Sequence, residues 1–394
     1  MHPFTSILCL SALTLGLPSA THAHSGDHSE QVISQDALTE AAVTVACTLE
    51  NGLETECLQV KLKHKPTTLE IGPFCPESLE TKGGIWNWTG DLPGLYRIDA
   101  AFLEMIAGQG YQMFGADGSV FVSDISKAAP QEAHSCIQVS EDETVEITAL
   151  IPLHPVMAER PTSLGVVSKV GIALTGTPIF SDAPSVAHTG HMPALDTCGG
   201  HVDPGGWYHW HANASDIETV FEAAQVDATC SLQQDASQMF GYAFDGYPIF
   251  GSRERSGAMP ENLDDCGGHI GAMPNGIVGY HYHTSDSFPN LPTCLSGVPA
   301  IDNFRTTAQV GIGATPPPGT EITRLNPPGA GPNGARRRGP PDLSDAANRL
   351  GIAEQDLRNA LRKSGRPPNL TDAAEELGIS EQALSSALPE RPPR

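Results

Sequence analysis

Val-Gly-Ile-Ala-Leu-Thr-Gly-Thr-Pro-Ile-Phe (Val170 to Phe180), Asp-Thr-Cys-Gly-Gly-His (Asp196 to His201) and Gly-Trp-Tyr-His-Trp-His (Gly206 to His211) follow one another through the middle of this chain. The same order then returns as Phe-Gly-Tyr-Ala-Phe-Asp-Gly-Tyr-Pro-Ile-Phe (Phe240 to Phe250), Asp-Asp-Cys-Gly-Gly-His (Asp264 to His269) and Gly-Tyr-His-Tyr-His (Gly279 to His283). Six histidines recur in register: His201, His209 and His211, then His269, His281 and His283.

Residues two apart on a strand point to the same face, so His209 with His211, and His281 with His283, each present two imidazoles side by side. The intervening Trp210 and Tyr282 then face a core. Neutral imidazole is a common ligand of copper, zinc and iron, and His201 or His269 on its Gly-Gly turn brings each copy to three donors. Hydrogen-bonded histidines packed among Tyr and Trp are the structural alternative, and the repeated three-histidine grouping weighs against it. Asp245 stands where the first copy has Thr175; it caps a turn in its Phe-Asp-Gly-Tyr context, or is a candidate acid or base. Asp196 and Asp264 suit either turn formation or orientation of an imidazole. Cys198 and Cys266 are potential thiolate ligands, but in an exported chain disulfides are expected of them.

These motifs resemble the YHYH-domain proteins, named for the pattern that stands here as Tyr280-His281-Tyr282-His283, with Trp210 replacing the second Tyr in the first copy. The resemblance covers about Ile151 to Pro299 and implies an exported bacterial-type protein, with no settled activity.

Outward from this region, composition sets the frame. The 394 residues carry 46 Asp and Glu against 22 Lys and Arg, a formal charge of -24, which repels nucleic acid and anionic lipid and favours cations as partners. Phe4 to Leu17 is too short to span a bilayer and, with Thr21-His22-Ala23 behind it, reads as a secretory signal over residues 1–23. Eight cysteines remain: Cys47, Cys57, Cys75 and Cys136, then Cys198, Cys230, Cys266 and Cys294. Pairing within each set is expected in an oxidising compartment, with Cys47 and Cys57 bridged across the Asn51-Gly52 turn.

Residues 24–143 read as an N-terminal β-rich domain, with strands near Val43 to Leu49, Cys57 to Leu62, Trp86 to Trp88 and Val120 to Val122, and one helix from Asp99 to Ala107 ended by Gly108. Its first residues, His24 to His28, read as a flexible start. Residues 144–300 form the duplicated YHYH domain, opened by a strand over Thr144 to Leu153. Residues 301–341 are a Pro/Gly-rich linker. Over 342–389 a shorter repeat, Leu343 to Leu361 and Leu370 to Leu388, predicts two helical hairpins with Ser344 and Thr371 as N-caps and Gly351 and Gly378 as stops. Despite the nearby Arg336-Arg337-Arg338, a protein-interaction or capping module fits this acidic chain better than a DNA reader.

The expected fold is therefore mainly β with short helices: a duplicated, disulfide-stabilised β core, an N-terminal β-rich domain and a small helical C-terminal tail. The expected function is export and binding of a transition metal at the six histidines, copper before zinc on the Irving-Williams order and on Met192, Met239, Met259 and Met273. A metalloenzyme with an open three-histidine site and a metal-free structural or adhesion scaffold are the alternatives. Packing of the two copies about a pseudo-two-fold axis, eased by Gly205, Gly206 and Gly279, would bring all six imidazoles into one pocket.

Overall fold

The structure, a computed structural model, describes residues 33–232, 235–273 and 276–315, and at the C-terminus 357, 360, 361, 370–377, 379, 384 and 388. The expected signal segment, His24 to His28, most of the expected linker and most of the expected helical repeats lie outside the described residues. The chain divides into two units at Pro328.

Asn51-Gly52 reverses β1 (Val43–Thr48) into β2 (Glu54–Lys63): Gly52 takes a φ of 86°, and Asn51 Oδ1 accepts from the Leu53 amide at 3.0 Å. Cys47 and Cys57 are bridged across this hairpin. β3 (Ile85–Trp88) and β4 (Gly94–Arg97) make a two-stranded ribbon. The helix α1 (Ala100–Gly108) starts where the Asp99 carboxylate accepts from the Phe102 amide at 3.1 Å, and it buries Phe102, Leu103 and Ile106. β5 (Val122–Ser123) and β6 (Ser135–Ile137) follow, the second tied by the Cys75–Cys136 disulfide.

β7 (Glu146–Pro152) pairs with β2, and β8 (Met157–Ser163) leads into the first motif set: β9 (Lys169–Ala173), β10 (Pro178–Phe180), α2 (Val186–Thr189), β11 (His191–Pro193), β12 (Gly200–Val202) and β13 (Tyr208–Trp210). After α3 (Ile217–Ala224) come β14 (Met239–Ala243), β15 (Pro248–Phe250), β16 (Gly268–Ala272) and β17 (Val278–His283). β18 (Cys294–Gly297) and β19 (Phe304–Thr306) complete this unit. The fold is mostly β and carries four disulfides, each within its expected set.

The two motif sets build one open sheet of eight strands, ordered β12-β13-β10-β9-β14-β15-β17-β16. The order is the same read inward from either edge. Its centre is the antiparallel pair β9 and β14, where Tyr242 faces Ile172 and the two flanking glycines make close approach possible: a Cβ on Gly171 would lie 2.1 Å from the Tyr242 carbonyl oxygen, and one on Gly241 2.5 Å from that of Ile172. The expected convergence of six histidines does not occur. The copies meet through β9 and β14 rather than through the His-x-His strands, four strands lie between β13 and β17, and the triads open into different cavities. Gly206 instead turns against Asp142, and Gly279 packs beside Met273.

A single buried cluster runs from Leu62, Ile85 and Trp88 through Val170, Phe180 and Trp207 to Phe244 and Phe304, so residues on both sides of position 144 share a core. β19, from the segment rich in Pro and Gly, pairs with β7 and sets Phe304 edge-on to Phe180 and Phe244. In the C-terminal unit α4 (Leu370–Glu376) is the described helix, and Leu357, Ala360, Ala373, Ala374 and Leu384 are buried together. No helix among the described residues is long and apolar enough to cross a membrane.

Candidate metal centres

The histidine geometry follows from strand register. β12 and β13 are antiparallel with His201 directly opposite His209, and β16 and β17 place His269 directly opposite His281. Cross-strand neighbours and residues two apart on one strand share a face, so His211 and His283 complete the two triads. Trp210 and Tyr282 are buried on the opposite face, as expected.

The Asp-x-Cys-Gly-Gly-His turn fixes each triad. Asp196 Oδ1 accepts from the amides of Cys198 (2.9 Å) and Gly200 (3.1 Å), while Oδ2 accepts from the Tyr208 hydroxyl at 2.7 Å. Asp264 repeats this with Cys266 (2.9 Å), Gly268 (3.0 Å) and the Tyr280 hydroxyl (2.8 Å). Both carboxylates thus form turns and anchor the first Tyr of the motif; none of these bonds goes to an imidazole. Of the two glycines in each turn, Gly199 and Gly267 take positive φ (85° and 78°), and a Cβ on Gly200 or Gly268 would fall 2.4 or 2.1 Å from the tyrosine hydroxyl oxygen. Cys198 and Cys266 are bonded to Cys230 and Cys294, which removes them as thiolate ligands.

In the first triad the three Nε2 atoms form a triangle with edges of 3.1, 3.0 and 3.1 Å. In the second, His269 to His281 is 3.1 Å and His281 to His283 is 3.2 Å. A triangle of this size has a circumradius of about 1.8 Å, close to a metal–nitrogen bond of about 2.0–2.1 Å, so the three Nε2 atoms of a triad could together hold one ion.

Partners of Nδ1 set the tautomers. His269 Nδ1 meets the Glu261 carbonyl at 3.0 Å, His281 that of Gly279 at 3.1 Å and His283 that of Gly251 at 2.7 Å. Each Nδ1 therefore donates, so in the neutral rings three Nε2 lone pairs face one another. In the first triad His211 Nδ1 donates to Ser181 O and His201 to the Pro193 carbonyl. His209 Nδ1 is buried without a partner of full hydrogen-bond geometry, the Trp207 carbonyl being the acceptor that favours its proton. Burial, reinforced for His201 and His209 by neighbouring imidazoles, holds all three well below the usual histidine range, with His211 at about 4. Burial also lowers His281 and His283. Neutral imidazole, the form that binds a metal, is favoured at the first triad and at His281 and His283.

The surroundings of the two triads differ. Beside the second stands Glu254, with Oε1 3.4 Å from His269 Nε2 and 3.8 Å from His283 Nε2, a fourth donor that sequence reasoning missed. The four residues form one group able to hold a metal, and His201, His209 and His211 form the other. The adjoining space at the second site is only about 10 Å³, lined in part by Arg253 and Met273. At the first, counting four residues on from Phe180 rather than Phe250 gives Pro184 where the second has Glu254, and a cavity of about 250 Å³ opens over the imidazoles. Its walls come from far apart in sequence: Phe74, Ile125, Ile137 and Val139 from the N-terminal region, and Gly311 and Ile312 from beyond β19. Asp203 also lines it and accepts from the amides of Gly205 (2.7 Å) and Ile312 (3.4 Å), while burial pushes its carboxyl up to about 7.

Asp245 lies at neither triad. Its carboxylate accepts from the Tyr282 hydroxyl (2.5 Å) and the amides of Gly297 (2.8 Å) and Tyr247 (3.2 Å), so it locks the turn before β15 to the back of β17. Of the four methionines weighed as soft donors, Met273 adjoins the second triad; Met192, Met239 and Met259 line neither cavity.

No curated protein and no solved structure is detectably similar to this chain. One family does match, and the segment it covers contains the first triad with its Tyr208-His209-Trp210-His211 and stops short of the second. Over residues 148–259 the chain matches the family described as YHYH protein.

Proposed function

We propose that this is an exported metal-binding protein that holds one transition-metal ion at His201, His209 and His211 and another at His269, His281, His283 and Glu254. The second site carries the reading: with every Nδ1 turned to a carbonyl, three Nε2 atoms and a carboxylate oxygen converge on one point, the donor set that a transition-metal ion takes. Copper is preferred over zinc because imidazole-rich sites follow the Irving-Williams order and the Met273 thioether adjoins the second site. Four disulfides support an oxidising compartment.

Elemental analysis of the purified chain, before and after dialysis against equimolar copper and zinc, should find two ions per chain with copper in excess. Chelation should lower the melting temperature, since a ligand bound only to the folded state stabilises it. A protein that neither retains nor takes up either metal would refute the assignment.

A further inference from the structure

The first triad has what the second lacks, a cavity. It measures about 250 Å³ and its lining is almost wholly apolar. One wall is the face of His201, His209 and His211 on which a fourth donor would stand, and Pro184 at the position of Glu254 adds apolar surface where the second site has a carboxylate. Metal sites that serve structure close their coordination with protein ligands, whereas sites that act on other molecules keep one position open.

We propose that the cavity over His201, His209 and His211 is a binding site for a small uncharged apolar molecule with one polar end, the apolar body lying among Phe74, Ile125, Ile137, Val139, Val202 and Ile312 and the polar end meeting the triad. Size argues for this occupant: about 250 Å³ falls below the roughly 300–1,000 Å³ of pockets for drug-sized ligands, yet exceeds the roughly 150 Å³ apolar cavity that takes benzene. A peptide strand or helix does not fit. Charge argues in the same direction, because the net charge of -24 disfavours anions and the one carboxylate in the lining, Asp203, is already committed to the amides of Gly205 and Ile312 rather than to a bound cation. Three nearly dry imidazoles supply the polar contact that orients the ligand. The walls also explain why residues so distant in sequence are gathered here: Asp203 holds the Ile312 amide, so the segment after β19 covers the cavity.

This rests on the metal reading above in one respect, that a bound ion would take the ligand's donor atom, and the test separates the two. The full chain, metal-free and loaded with cobalt(II), is titrated with 4-fluorophenol, and with 4-fluorotoluene, which has no donor, followed by ¹⁹F NMR; cobalt per chain is measured in parallel. Saturable binding of 4-fluorophenol is expected, at least several-fold tighter than 4-fluorotoluene. Ile312→Trp and Ile125→Trp, at two half-buried wall positions, should each weaken it tenfold or more while leaving cobalt at two per chain. Loss of either variant to misfolding leaves the other as the test. The paramagnetic shift of the bound probe should vanish in His209→Ala/His211→Ala and persist in His281→Ala/His283→Ala. Absence of saturable binding, indifference to both Trp variants, or a paramagnetic shift that follows His281 and His283 instead would each overturn the proposal, and with two cobalt per chain the metal reading would survive it. Saturable binding that the Trp variants weaken, in a protein that takes up no cobalt, would keep the cavity assignment and sink the metal reading.

Discussion

The two edges of the eight-stranded sheet carry the same three imidazoles on the same strand geometry, yet one is enclosed by the rest of the chain and the other closes itself. At the β12/β13 edge the Asp196 clamp and Tyr208 are fully buried, and residues before Ser140 and after Phe304 wall the site. At the β16/β17 edge the Asp264 clamp is exposed, Tyr280 is half-buried, and Glu254 fills the position over the imidazoles. A recurring set of donors therefore specifies the geometry of the imidazoles without specifying what stands over them. What differs is the fourth position: a carboxylate where the site faces water, an apolar cavity where it faces the protein.

The largest effect that could break this comparison is on metal content. His209→Ala with His211→Ala should reduce metal from two ions per chain to one and leave the affinity of the remaining site within about twofold, since separated sites act independently. The segments behind the two triads do touch, through Asn213 Nδ2 and Thr284 Oγ1 at 3.0 Å. An affinity change of tenfold or more at the second site would show that this contact couples them.

Truncation comes next. Ending the chain after Pro299 removes Phe304 from among Phe180, Trp207 and Phe244, and with it Ile312, the cover of the first cavity. Loss of a buried Phe alone costs about 3–5 kcal/mol. Urea unfolding should show at least that loss, whereas a chain ending after Thr315 should retain the stability of the full one. Equal stability of the two truncated chains would mean that β19 adds nothing to the core and that the first site is less enclosed than it looks.

The contrast between the two edges was only partly legible in the sequence. Strands, disulfide sets, the helix that begins at Asp99 and both triads can be read from local pattern, because period-two spacing, turn residues and cysteine context act within a few residues. Glu254 was invisible for a physical reason: it reaches the triad from the loop after β15, and only the parallel pairing of β15 with β17 brings that loop to His283. Laying the two copies side by side beyond Phe180 and Phe250 would have exposed Pro184 against Glu254, the one local signal of the difference. The sheet centre is hidden from local pattern because glycines stand both before the His-x-His strands and inside β9 and β14, and only strand pairing shows that Gly171 and Gly241 make the close approach. Ile312, in a stretch whose composition reads as linker, is held by Asp203 and by the backbone bonds from Thr306 to Gly313 and from Thr315 to Ala308 on either side of it.

A smaller effect tests the carboxylate itself. Glu254→Gln keeps shape but removes the charge, and it should weaken the second site by about tenfold to a hundredfold, or about 1.4–2.8 kcal/mol, while the first site is unaffected. Competition against a chromogenic chelator measures both. If the second site keeps its affinity, Glu254 is a neighbour of the triad and the two sites are alike in being open.

The smallest effect compares the clamps. The Tyr208 hydroxyl donates to Asp196 at 2.7 Å and accepts from Trp210 Nε1 at 3.1 Å, and all three side chains are buried. Tyr208→Phe would strip a buried carboxylate of one donor and a buried indole of its acceptor with no water to replace either, at a cost of about 2–3 kcal/mol. The Tyr280 hydroxyl bonds Asp264 at 2.8 Å and Ser296 Oγ at 2.7 Å, but Asp264 is exposed and recovers its bond from solvent. Tyr280→Phe should therefore cost only about 0.5–1.5 kcal/mol, the net worth of an ordinary hydrogen bond. Denaturant unfolding of the two single variants gives the difference directly. A gap of about 1–2 kcal/mol, with Tyr208 the costlier, follows if the first edge is the dry one; equal costs would mean that water reaches both clamps, and the enclosure that separates the two triads would lose its physical basis.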